Sequence, residues 1–281
     1  MPPSNQLPSR YALVGHPVSH SRSPLIHQLF ARQTGEKLTY ELIDALPEQF
    51  ETAVLGFSAA GGRGMNITVP YKEAAFDLCR THGEEAKAAG AVNTITFRAG
   101  GLHGDNTDGT GFIRDLCSNQ EQEISGNRLL ILGAGGAARG IIGPILAQKP
   151  ESLVVANRTI ERAESLLKFF DSPEVFSICS FDELEDVGPF DIVINATSAG
   201  LKGEQPPFPG SLVGPDTFCY DLAYSLKATP FVTWAQANGA VNAVQGWGML
   251  VEQAADSFEI WRGKRPNTRQ ILRQLIGVNA S

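Results

Sequence analysis

Apolar residues occur along the whole chain in short runs, and these runs alternate with longer stretches in which apolar residues repeat at helical spacing. Runs of this kind predict strands, and the stretches between them predict helices. In the first part of the chain, strands are predicted at residues 11–15, 38–43, 64–68, 94–97 and 102–103. The last two are joined by the glycine-containing turn 98–101, which predicts a hairpin. This alternation is typical of an α/β fold with largely parallel sheets.

Three prolines mark the predicted helix starts in this region, because proline is favoured in the first turn of a helix. They are Pro24, Pro47 and Pro70. Ser23 is expected to be the N-cap of the first helix. The second helix is expected to end near Ala60, and the third carries Lys72.

A second series of strands begins at Leu129 and runs to about Val244. Its further strands are predicted at 152–156, just before Phe181, at 191–195 and at 218–221. Gly, Asp and Thr are frequent between residues 105 and 111, which indicates a crossing between domains. The last predicted helix, 246–261, has apolar residues close to helical spacing and is expected to pack back on the first domain. We therefore predict two domains: residues 1–107 together with 245–281, and residues 108–244.

The strand at Leu129 leads directly into a glycine-rich sequence, Gly133-x-Gly135-x-x-Ala138. In a dinucleotide-binding βαβ unit, the first glycine makes a tight turn and the second lets the pyrophosphate approach the backbone. The small third residue lets the helix pack closely on the strand. A glycine fingerprint alone also occurs by chance, but here a strand, a helix and a second strand accompany it. The sequence therefore predicts a Rossmann domain, with the phosphates at a helix N-terminus.

The residues after the second strand of this domain indicate which dinucleotide binds. An NAD-binding domain usually has Asp or Glu about twenty residues after the glycines, whereas the 2′-phosphate of NADP needs an arginine. This chain has Asn157-Arg158-Thr159 at that point. We therefore predict NADP. Arg162 is expected one turn along a helix that starts at Thr159, and is either a second phosphate contact or an exposed helix charge.

Composition limits which partners, disulfides and metal sites the chain is expected to have. The chain has 281 residues, 42% of them apolar, which is enough for packed cores in two domains. The net charge of −7 disfavours nucleic acid and anionic membranes as partners. The four cysteines include no CxxC pair and the five histidines lack metal-ligand spacing. We therefore predict neither disulfides nor a metal site.

The amino-terminal segment, residues 1–10, is polar and contains prolines, without the charged start and apolar centre of a signal peptide. We expect this segment to be loosely ordered and the protein to be cytoplasmic. The longest apolar stretch, 129–147, contains Arg139 and the glycines, so it is expected to be a strand, a turn and a buried helix instead of a membrane span. The protein is expected to be a monomer or a homodimer.

A nicotinamide cofactor carries the hydride chemistry, so the first domain must supply groups that orient a small-molecule substrate and exchange a proton with it. Polar residues cluster at four predicted strand ends, helix starts or loops, where binding residues concentrate in open α/β sheets. The clusters are Ser21-Arg22-Ser23, Asn66-x-Thr68-x-x-x-Lys72, Asn93-Thr94 and Asp105-Asn106-Thr107-Asp108. Asn66 and Thr68 alternate along one strand and so point to the same face.

Some of these residues suit a particular role, although each also has a purely structural explanation. Ser21 and Ser23 offer hydroxyls beside a helix N-terminus, which suits a carboxylate, but an N-cap role alone accounts for Ser23. Lys72 lies near a helix N-terminus, where a cation opposes the dipole, and this favours an ammonium that exchanges protons. Asp108 either pairs with Lys72 or is a loop or N-cap aspartate.

Taken together, these stretches resemble the NADP-dependent shikimate dehydrogenases of the shikimate/quinate dehydrogenase family. The resemblance spans nearly the whole chain and, as a set of motifs, is highly specific. It rests on Ser21-Arg22-Ser23-Pro24, Asn66-Ile67-Thr68-Val69-Pro70-x-Lys72, Gly90-Ala91-Val92-Asn93-Thr94, Gly104-Asp105-Asn106-Thr107-Asp108-Gly109, Gly133-Ala134-Gly135-Gly136-Ala137-Ala138-Arg139, Asn157-Arg158-Thr159, Asn195-Ala196-Thr197 and Gly248-Met249-Leu250-Val251-x-Gln253-Ala254.

The resemblance implies an oxidoreductase that reversibly reduces 3-dehydroshikimate to shikimate with NADPH, in chorismate and aromatic amino-acid biosynthesis. It implies that Lys72 and Asp108 are the catalytic pair. Substrate binding is implied for Ser21, Ser23, Asn66, Thr68, Asn93, Tyr224 and Gln253. Cofactor binding is implied for Gly133, Ala134, Gly135, Gly136, Ala137, Asn157, Arg158, Thr159, Arg162, Leu222 and Gly246. The first domain would then bind the substrate.

One short stretch differs from the family pattern. The family usually has Asp-Gly before the final glycine-rich region, whereas this chain has Gln245-Gly246, and Trp247 replaces a smaller apolar residue. Loss of a carboxylate there is expected to affect cofactor placement or turnover.

Two alternatives stay open: an NAD(P)-linked quinate/shikimate dehydrogenase, and a non-catalytic regulator that binds the nucleotide. The sequence Asn157-Arg158-Thr159 favours the NADP-specific enzyme over the first.

Overall fold

The computed structural model describes residues 7–170, 174–197 and 208–278. The chain divides into two compact units, with boundaries between Thr107 and Asp108 and between Leu250 and Val251. The first unit therefore takes both ends of the chain and the second takes the middle. Among the described residues, no helix has the length and apolar composition needed to cross a membrane.

Strands and helices alternate along the described chain, as the pattern of apolar runs predicts. The elements in chain order are β1 Ser9–Gly15, α1 Ser23–Thr34, β2 Leu38–Asp44, α2 Phe50–Ala59, β3 Gly64–Ile67, α3 Lys72–Leu78, β4 Thr81–His82, α4 Glu84–Ala89, β5 Thr94–Arg98, β6 Gly101–Asp105, α5 Asp108–Arg114, β7 Arg128–Leu132, α6 Gly136–Ala147, β8 Ser152–Asn157, α7 Ile160–Leu167, β9 Phe176–Ser180, β10 Ile192–Asn195, β11 Phe218–Asp221, α8 Pro230–Ala237, β12 Asn242–Gln245, α9 Trp247–Arg262 and α10 Thr268–Val278.

The first unit contains a six-stranded sheet in the order β2-β1-β3-β5-β6-β4. Strand β5 is antiparallel to both of its neighbours, and the other pairs are parallel. The prediction of a largely parallel sheet is confirmed, and so is the β5–β6 hairpin. Because β5 runs in the opposite direction, its amino end lies at the same edge of the sheet as the carboxyl ends of β1, β3 and β6.

The two faces of this sheet are covered differently. On one face, Ala12 and Val14 of β1 belong to an apolar core with Phe50 and Val54 from the start and middle of α2. On the other face, the ring of Tyr11 stacks on Trp261 of α9 with centroids 4.5 Å apart. Alternate residues of β1 thus serve opposite faces, as the period of a strand requires.

An aromatic cluster joins α1, β2 and α9 on that second face. His27 is fully buried, its ring stacks on Tyr40 with centroids 4.3 Å apart, and its edge meets Phe30. Phe258 contacts both His27 and Phe30. Burial among these rings lowers the pKa of His27 to about 3, so the imidazole is neutral in the folded protein.

The second unit contains a parallel six-stranded sheet in the order β12-β11-β10-β7-β8-β9. Leu129 and Ile131 of β7 face one apolar core, and Leu130 and Leu132 face another on the opposite side. A strand buried on both faces reads as a continuous apolar run, which is what the sequence shows. This strand order is that of the Rossmann fold, and its direction of winding reverses between β7 and β10.

Several predicted helix starts are wrong by one to three residues. Arg22, not Ser23, is the N-cap of α1, because the N–H of Ile26 already donates to the carbonyl of Arg22, and Ser23 is helical. A single 3₁₀ turn at Pro47–Gln49 precedes α2. The helix expected to start at Pro70 begins at Lys72. The backbone N–H of Tyr71 donates to the carbonyl of Thr68, which forms a turn before the helix.

Other differences concern segments for which the sequence predicts no regular helix or strand. Ser9 and Arg10 belong to β1 instead of a loose lead-in, and residues 1–6 lie outside the described part of the chain. The crossing region is helical from Asp108, which is the first residue of α5. The strands β4 and β12 were not expected, because β4 has only two residues, both polar, and β12 is short with only two adjacent apolar residues.

The burial of His27 predicts how stability depends on pH. Below about pH 6.5 the unfolded chain takes up a proton at this residue that the folded chain does not bind, so the free energy of unfolding falls as the pH falls towards 3. Between pH 7 and pH 5, we expect wild type to lose about 2 kcal/mol more than a His27→Phe variant. Urea unfolding at both pH values measures this difference. His20→Phe, at an exposed histidine, is the control, and an equal pH dependence of wild type and His27→Phe would contradict the prediction.

Candidate active site

A buried asparagine organises the polar edge of the first sheet. Asn93 directly precedes β5 and is only 2% exposed. Its Nδ2 donates to Oγ1 of Thr107 at 2.9 Å, and its Oδ1 accepts from the backbone N–H of Thr107 at 2.9 Å and from the hydroxyl of Thr94 at 2.8 Å. The same Nδ2 lies 3.4 Å from Oε1 of Gln253. The structure therefore brings together Asn93 and Gln253, two of the predicted substrate-binding residues.

A second buried amide, that of Asn66 in β3, lies behind Asn93. Its Oδ1 accepts from the hydroxyl of Tyr40 at 2.7 Å. Its Nδ2 donates to the carbonyl of Asn93 at 3.2 Å, to Oγ1 of Thr94 at 3.1 Å and to Oγ of Ser257 at 3.0 Å. Both amide hydrogens of Asn66 are thus used within the protein. Its contacts fit a residue that holds the edge in place, and direct substrate binding by Asn66 stays a prediction.

Ser257 completes this network, and sequence reasoning missed it. Its hydroxyl is fully buried and lies within 2.7 Å of Oγ1 of Thr94 and 3.3 Å of Oγ1 of Thr107. It also donates to the carbonyl of Gln253, one turn earlier in α9. The only sequence signal was its spacing of four residues from Gln253, which puts both residues on one helical face.

The two predicted carboxylate-binding serines lie together at the start of α1. The hydroxyl groups of Ser21 and Ser23 are 3.2 Å apart, and Oγ of Ser21 accepts the backbone N–H of Ser23. Ser23 is buried and Ser21 is half-buried. A helix N-terminus with two hydroxyls suits an anionic group of a ligand.

Backbone bonds bring Thr68 and Lys72 to the same edge. Thr68 follows β3 directly and donates its N–H to the carbonyl of Val14 in β1. Lys72 is the first residue of α3, is half-buried, and accepts the N–H of Val92 at its carbonyl, at 2.8 Å. Because Val92 precedes Asn93, the first turn of α3 lies beside the buried network.

Asp108 belongs to the second unit and is 4% exposed. It begins α5, which packs closely on α6. A Cβ atom on the next residue, Gly109, would lie 2.3 Å from the ring of Pro144. Glycine at 109 is therefore required by the close helix approach. The pairing of Asp108 with Lys72 stays a prediction.

The predicted phosphate-binding turn follows β7. Gly133 has a φ of +106°, and its N–H donates to the carbonyl of Ala156 at 2.7 Å. A Cβ atom there would lie 3.0 Å from the backbone of Ala196. Gly135 is the N-cap of α6 and has open space around its Cβ position. The predicted residues Gly136 and Ala137 form the first turn of α6, so N–H groups that have no partner within the helix lie beside this space, and the arrangement fits a pyrophosphate.

The residues predicted to bind the adenosine end follow β8. The amide of Asn157 donates to the carbonyl of Thr159 at 2.7 Å, which shapes the turn into α7. Thr159 is the N-cap and the helix begins at Ile160, so Arg158 precedes the helix instead of sharing a helical face with Arg162. Both arginine side chains are exposed. Their positions fit an anionic group at this end of β8.

The last two predicted cofactor residues, Leu222 and Gly246, are in direct contact. The N–H of Gly246 donates to the carbonyl of Ala223 at 3.0 Å. A Cβ atom at residue 246 would lie 2.5 Å from the carbonyl oxygen of Leu222, so glycine is required. The ring of Tyr224, a predicted substrate residue, has its centroid 4.7 Å from that of Trp247.

Two buried carboxylates support this part of the second unit. Oδ1 of Asp221 accepts from the side chain of Asn195 at 2.9 Å and from the N–H of Ala223 at 3.0 Å, and burial raises the pKa of this carboxyl group. Oδ2 of Asp115 accepts the hydroxyl of Tyr220 at 2.5 Å, and burial beside this carboxylate raises the pKa of Tyr220 well above its usual value. The sequence does not predict Asp115, because its buried partner Tyr220 is 105 residues away.

Within the described ranges, no group of three or more His, Cys, Asp or Glu side chains has an arrangement that holds a metal ion. The chemistry that the first unit offers at this edge is that of hydroxyls, amides and the ammonium of Lys72.

Comparison with known proteins decides the family. Residues 13–95 match the model of the shikimate dehydrogenase substrate binding domain, residues 115–202 that of shikimate/quinate 5-dehydrogenase, and residues 246–276 that of the shikimate 5′-dehydrogenase C-terminal domain. A relative from Alkalilimnicola ehrlichii, named shikimate dehydrogenase (NADP(+)), is 52% identical over 266 residues, which are 95% of this chain and 98% of the relative. The chain belongs to the shikimate dehydrogenase family. The resemblance drawn from the sequence motifs is thereby confirmed.

Similar solved structures have the same two-domain α/β fold. The Ael1 enzyme from Pseudomonas putida is 42% identical, with a TM-score of 0.86 and coverage of 95% of this chain and 98% of that chain. Shikimate 5-dehydrogenase from Thermus thermophilus, solved in complex with NADP(H) and shikimate, is 30% identical, with a TM-score of 0.83 and coverage of 96% and 99%. The predicted fold class is confirmed.

The backbone at Gly133 predicts a specific sensitivity to substitution. Gly133→Ala places a Cβ in a left-handed conformation and against the backbone of Ala196, so we expect the free energy of unfolding to fall by about 1–3 kcal/mol. Gly214→Ala is the matched control in the same unit, because no described atom beyond its two chain neighbours lies within 4 Å of its Cβ position. Urea unfolding of both variants measures the effect. Equal stability of the two variants would show that the turn at 133 does not need glycine.

Proposed function

We propose that this chain is an NADP-dependent dehydrogenase that reversibly reduces 3-dehydroshikimate to shikimate, in the biosynthesis of chorismate and the aromatic amino acids. The observation that carries the proposal is the polar edge of the first sheet, where Asn93 and Gln253 meet and Lys72 is bonded next to Asn93. This edge occurs in a member of the shikimate dehydrogenase family.

In this proposal, the first unit orients the substrate through its carboxylate and its ring hydroxyls. Ser21 and Ser23 donate to the carboxylate at the start of α1, where the helix dipole also favours a negative charge. Thr68, Asn93 and Gln253 contact the hydroxyls. Asn93 does so from a fixed orientation, since Thr107 and Thr94 already set which way its amide points.

Lys72 and Asp108 carry the proton transfer. When shikimate is oxidised, the hydroxyl on the reacting carbon passes its proton to Nζ of Lys72 as that carbon loses a hydride. In the reverse direction, Nζ returns the proton to the carbonyl oxygen of 3-dehydroshikimate. The carboxylate of Asp108 holds the ammonium in position and shares the proton. NADP, when bound, accepts the hydride, and NADPH supplies it.

The second unit holds the cofactor in the proposal. The turn at residues 133–137 and the start of α6 bind the pyrophosphate, and Asn157, Arg158, Thr159 and Arg162 bind the adenosine end with its 2′-phosphate. Leu222 and Gly246 line the nicotinamide end, and Tyr224 contacts the substrate. The open space at Gly135 and the exposed guanidinium groups support these roles.

Removal of the ammonium of Lys72 tests the catalytic role. We expect Lys72→Ala to lower kcat for shikimate oxidation by about a hundredfold or more and to change the KM for shikimate little, because the lost group acts on the proton in the transition state. The absorbance of NADPH, with shikimate and quinate assayed side by side, measures both constants. Lys87→Ala, at an exposed lysine of the same unit, is the control.

The same assay decides between the alternatives. A wild type that prefers quinate, or NAD over NADP, would support the catabolic quinate/shikimate dehydrogenase. A wild type that binds NADPH but oxidises neither alcohol would support the non-catalytic regulator. Wild-type activity with unchanged kcat in Lys72→Ala would overturn the role of Lys72 alone.

Cofactor selectivity is tested at the end of β8. Arg158→Leu removes a charged hydrogen-bond donor for the 2′-phosphate, so we expect the KM for NADP to rise by about tenfold to a hundredfold and the KM for NAD to change little. Lys168→Leu, at an exposed cation just beyond the other end of α7, is the control. Equal effects of Arg158→Leu on both cofactors would contradict a contact with the 2′-phosphate.

We also propose that the enzyme acts in the cytoplasm on small molecules, without nucleic acid or membrane partners, as a monomer or homodimer. Burial raises the pKa of Cys79 to about 12, of Cys179 to about 11 and of Cys219 to about 12, which suits free, unreactive thiols. The net charge of −7 opposes binding to polyanions. Static light scattering distinguishes the two assembly states.

A further inference from the structure

We infer that Gln245 and Trp247, the two residues that depart from the family pattern, are positioning residues that hold Tyr224 in its place. This inference rests on the proposed function, in which Tyr224 contacts the substrate. It gives a structural role to residue 245, where the sequence alone indicates only the loss of a carboxylate.

Gln245 fixes the backbone immediately after Tyr224. It is the last residue of β12, and its half-buried side chain accepts the backbone N–H of Ser225 at Oε1, at 2.7 Å. Residues 225–228 are exposed, so this bond holds the loop where it leaves the sheet. On the other side of Tyr224, the N–H of Ala223 donates to Asp221. The backbone is therefore held on both sides of Tyr224.

Trp247 fixes the side chain itself. Its indole is 9% exposed and meets the ring of Tyr224 with centroids 4.7 Å apart and planes at 49°. The segment that carries Trp247 is anchored in turn, because α9 starts at Trp247 and the backbone N–H of Met249 donates to the buried hydroxyl of Tyr220. Aromatic pairs at this separation add stability beyond the area that they bury.

Gly246 sets the distance between the two segments. Its contact with the carbonyl of Leu222 brings Gln245 and Trp247 up to the 222–225 loop, with no room for a side chain between them. An aspartate at 245 is one methylene shorter and carries a charge, whereas glutamine reaches Ser225 as a neutral acceptor. The function of residue 245 in this chain is thus acceptance of one backbone hydrogen bond, and no carboxylate is needed for that.

The experiment compares substitutions at Gln245, Gln236 and Trp247. Gln245→Leu keeps a side chain of similar volume, although a shorter one, and removes the acceptor, so we expect the KM for shikimate to rise by about two- to tenfold while kcat changes little. Gln245→Glu retains an acceptor oxygen and is expected to keep the wild-type KM. Gln236→Leu, at an exposed glutamine of the same unit, is the control. Trp247→Leu replaces the indole by a smaller side chain with less contact to the ring of Tyr224, so it is also expected to raise the KM for shikimate.

A double-mutant cycle shows whether the effect passes through Tyr224. Combined with Tyr224→Ala, Gln245→Leu is expected to raise the KM no further, because the ring that it positions is already absent. Additive effects, or a wild-type KM in Gln245→Leu, would overturn the inference. A wild-type KM in Tyr224→Ala alone would instead overturn the role of Tyr224 in the proposed function. If Gln245→Leu lowers the melting temperature, Gln245→Met, of similar length and without an acceptor oxygen, provides the same comparison.

Discussion

The first unit depends on the requirement that buried polar groups find hydrogen-bond partners. The side chains of Asn66 and Asn93 are almost fully buried, and an unpaired amide there would cost about 1–3 kcal/mol. Their hydrogen-bond partners are Tyr40 of β2, Thr107 just before α5, and Ser257 of α9. The relative positions of these elements are therefore coupled, since a shift of any one of them leaves a buried donor or acceptor without a partner.

Much of the fold follows from local patterns that the sequence displays directly. The apolar run of β7 and the glycines after it identify a Rossmann domain, because a tight turn and a close approach to phosphate require glycine at those positions. Helix starts are less exact, since proline is accepted at either of the first two helical positions and a preceding turn displaces the start. The strand β12 escapes notice because it is short, none of its residues is fully buried, and its polar and apolar residues do not alternate.

The candidate site was only partly predictable for a different reason. Lys72, Asn93 and Gln253 lie in recognisable motifs, but Ser257 and Asp115 act through partners far away in sequence. A buried serine on a helix looks like any small core residue until the strands it bonds are in place. Gln245 shows the same limit, because its residue type indicates a lost carboxylate, while its contact with Ser225 shows a retained acceptor.

The first unit is built from two separate stretches of the chain, and this has a consequence for synthesis on the ribosome. Residues up to Thr107 emerge first, yet the partners of Tyr11, Phe30 and Thr94 in α9 are made only after the whole second unit. The second unit is continuous in sequence and has its own cores, so it is able to fold while α9 is still being translated. The amino-terminal strands must wait, and their exposed apolar faces then need protection from other chains. In this protein, the part made first is the part completed last.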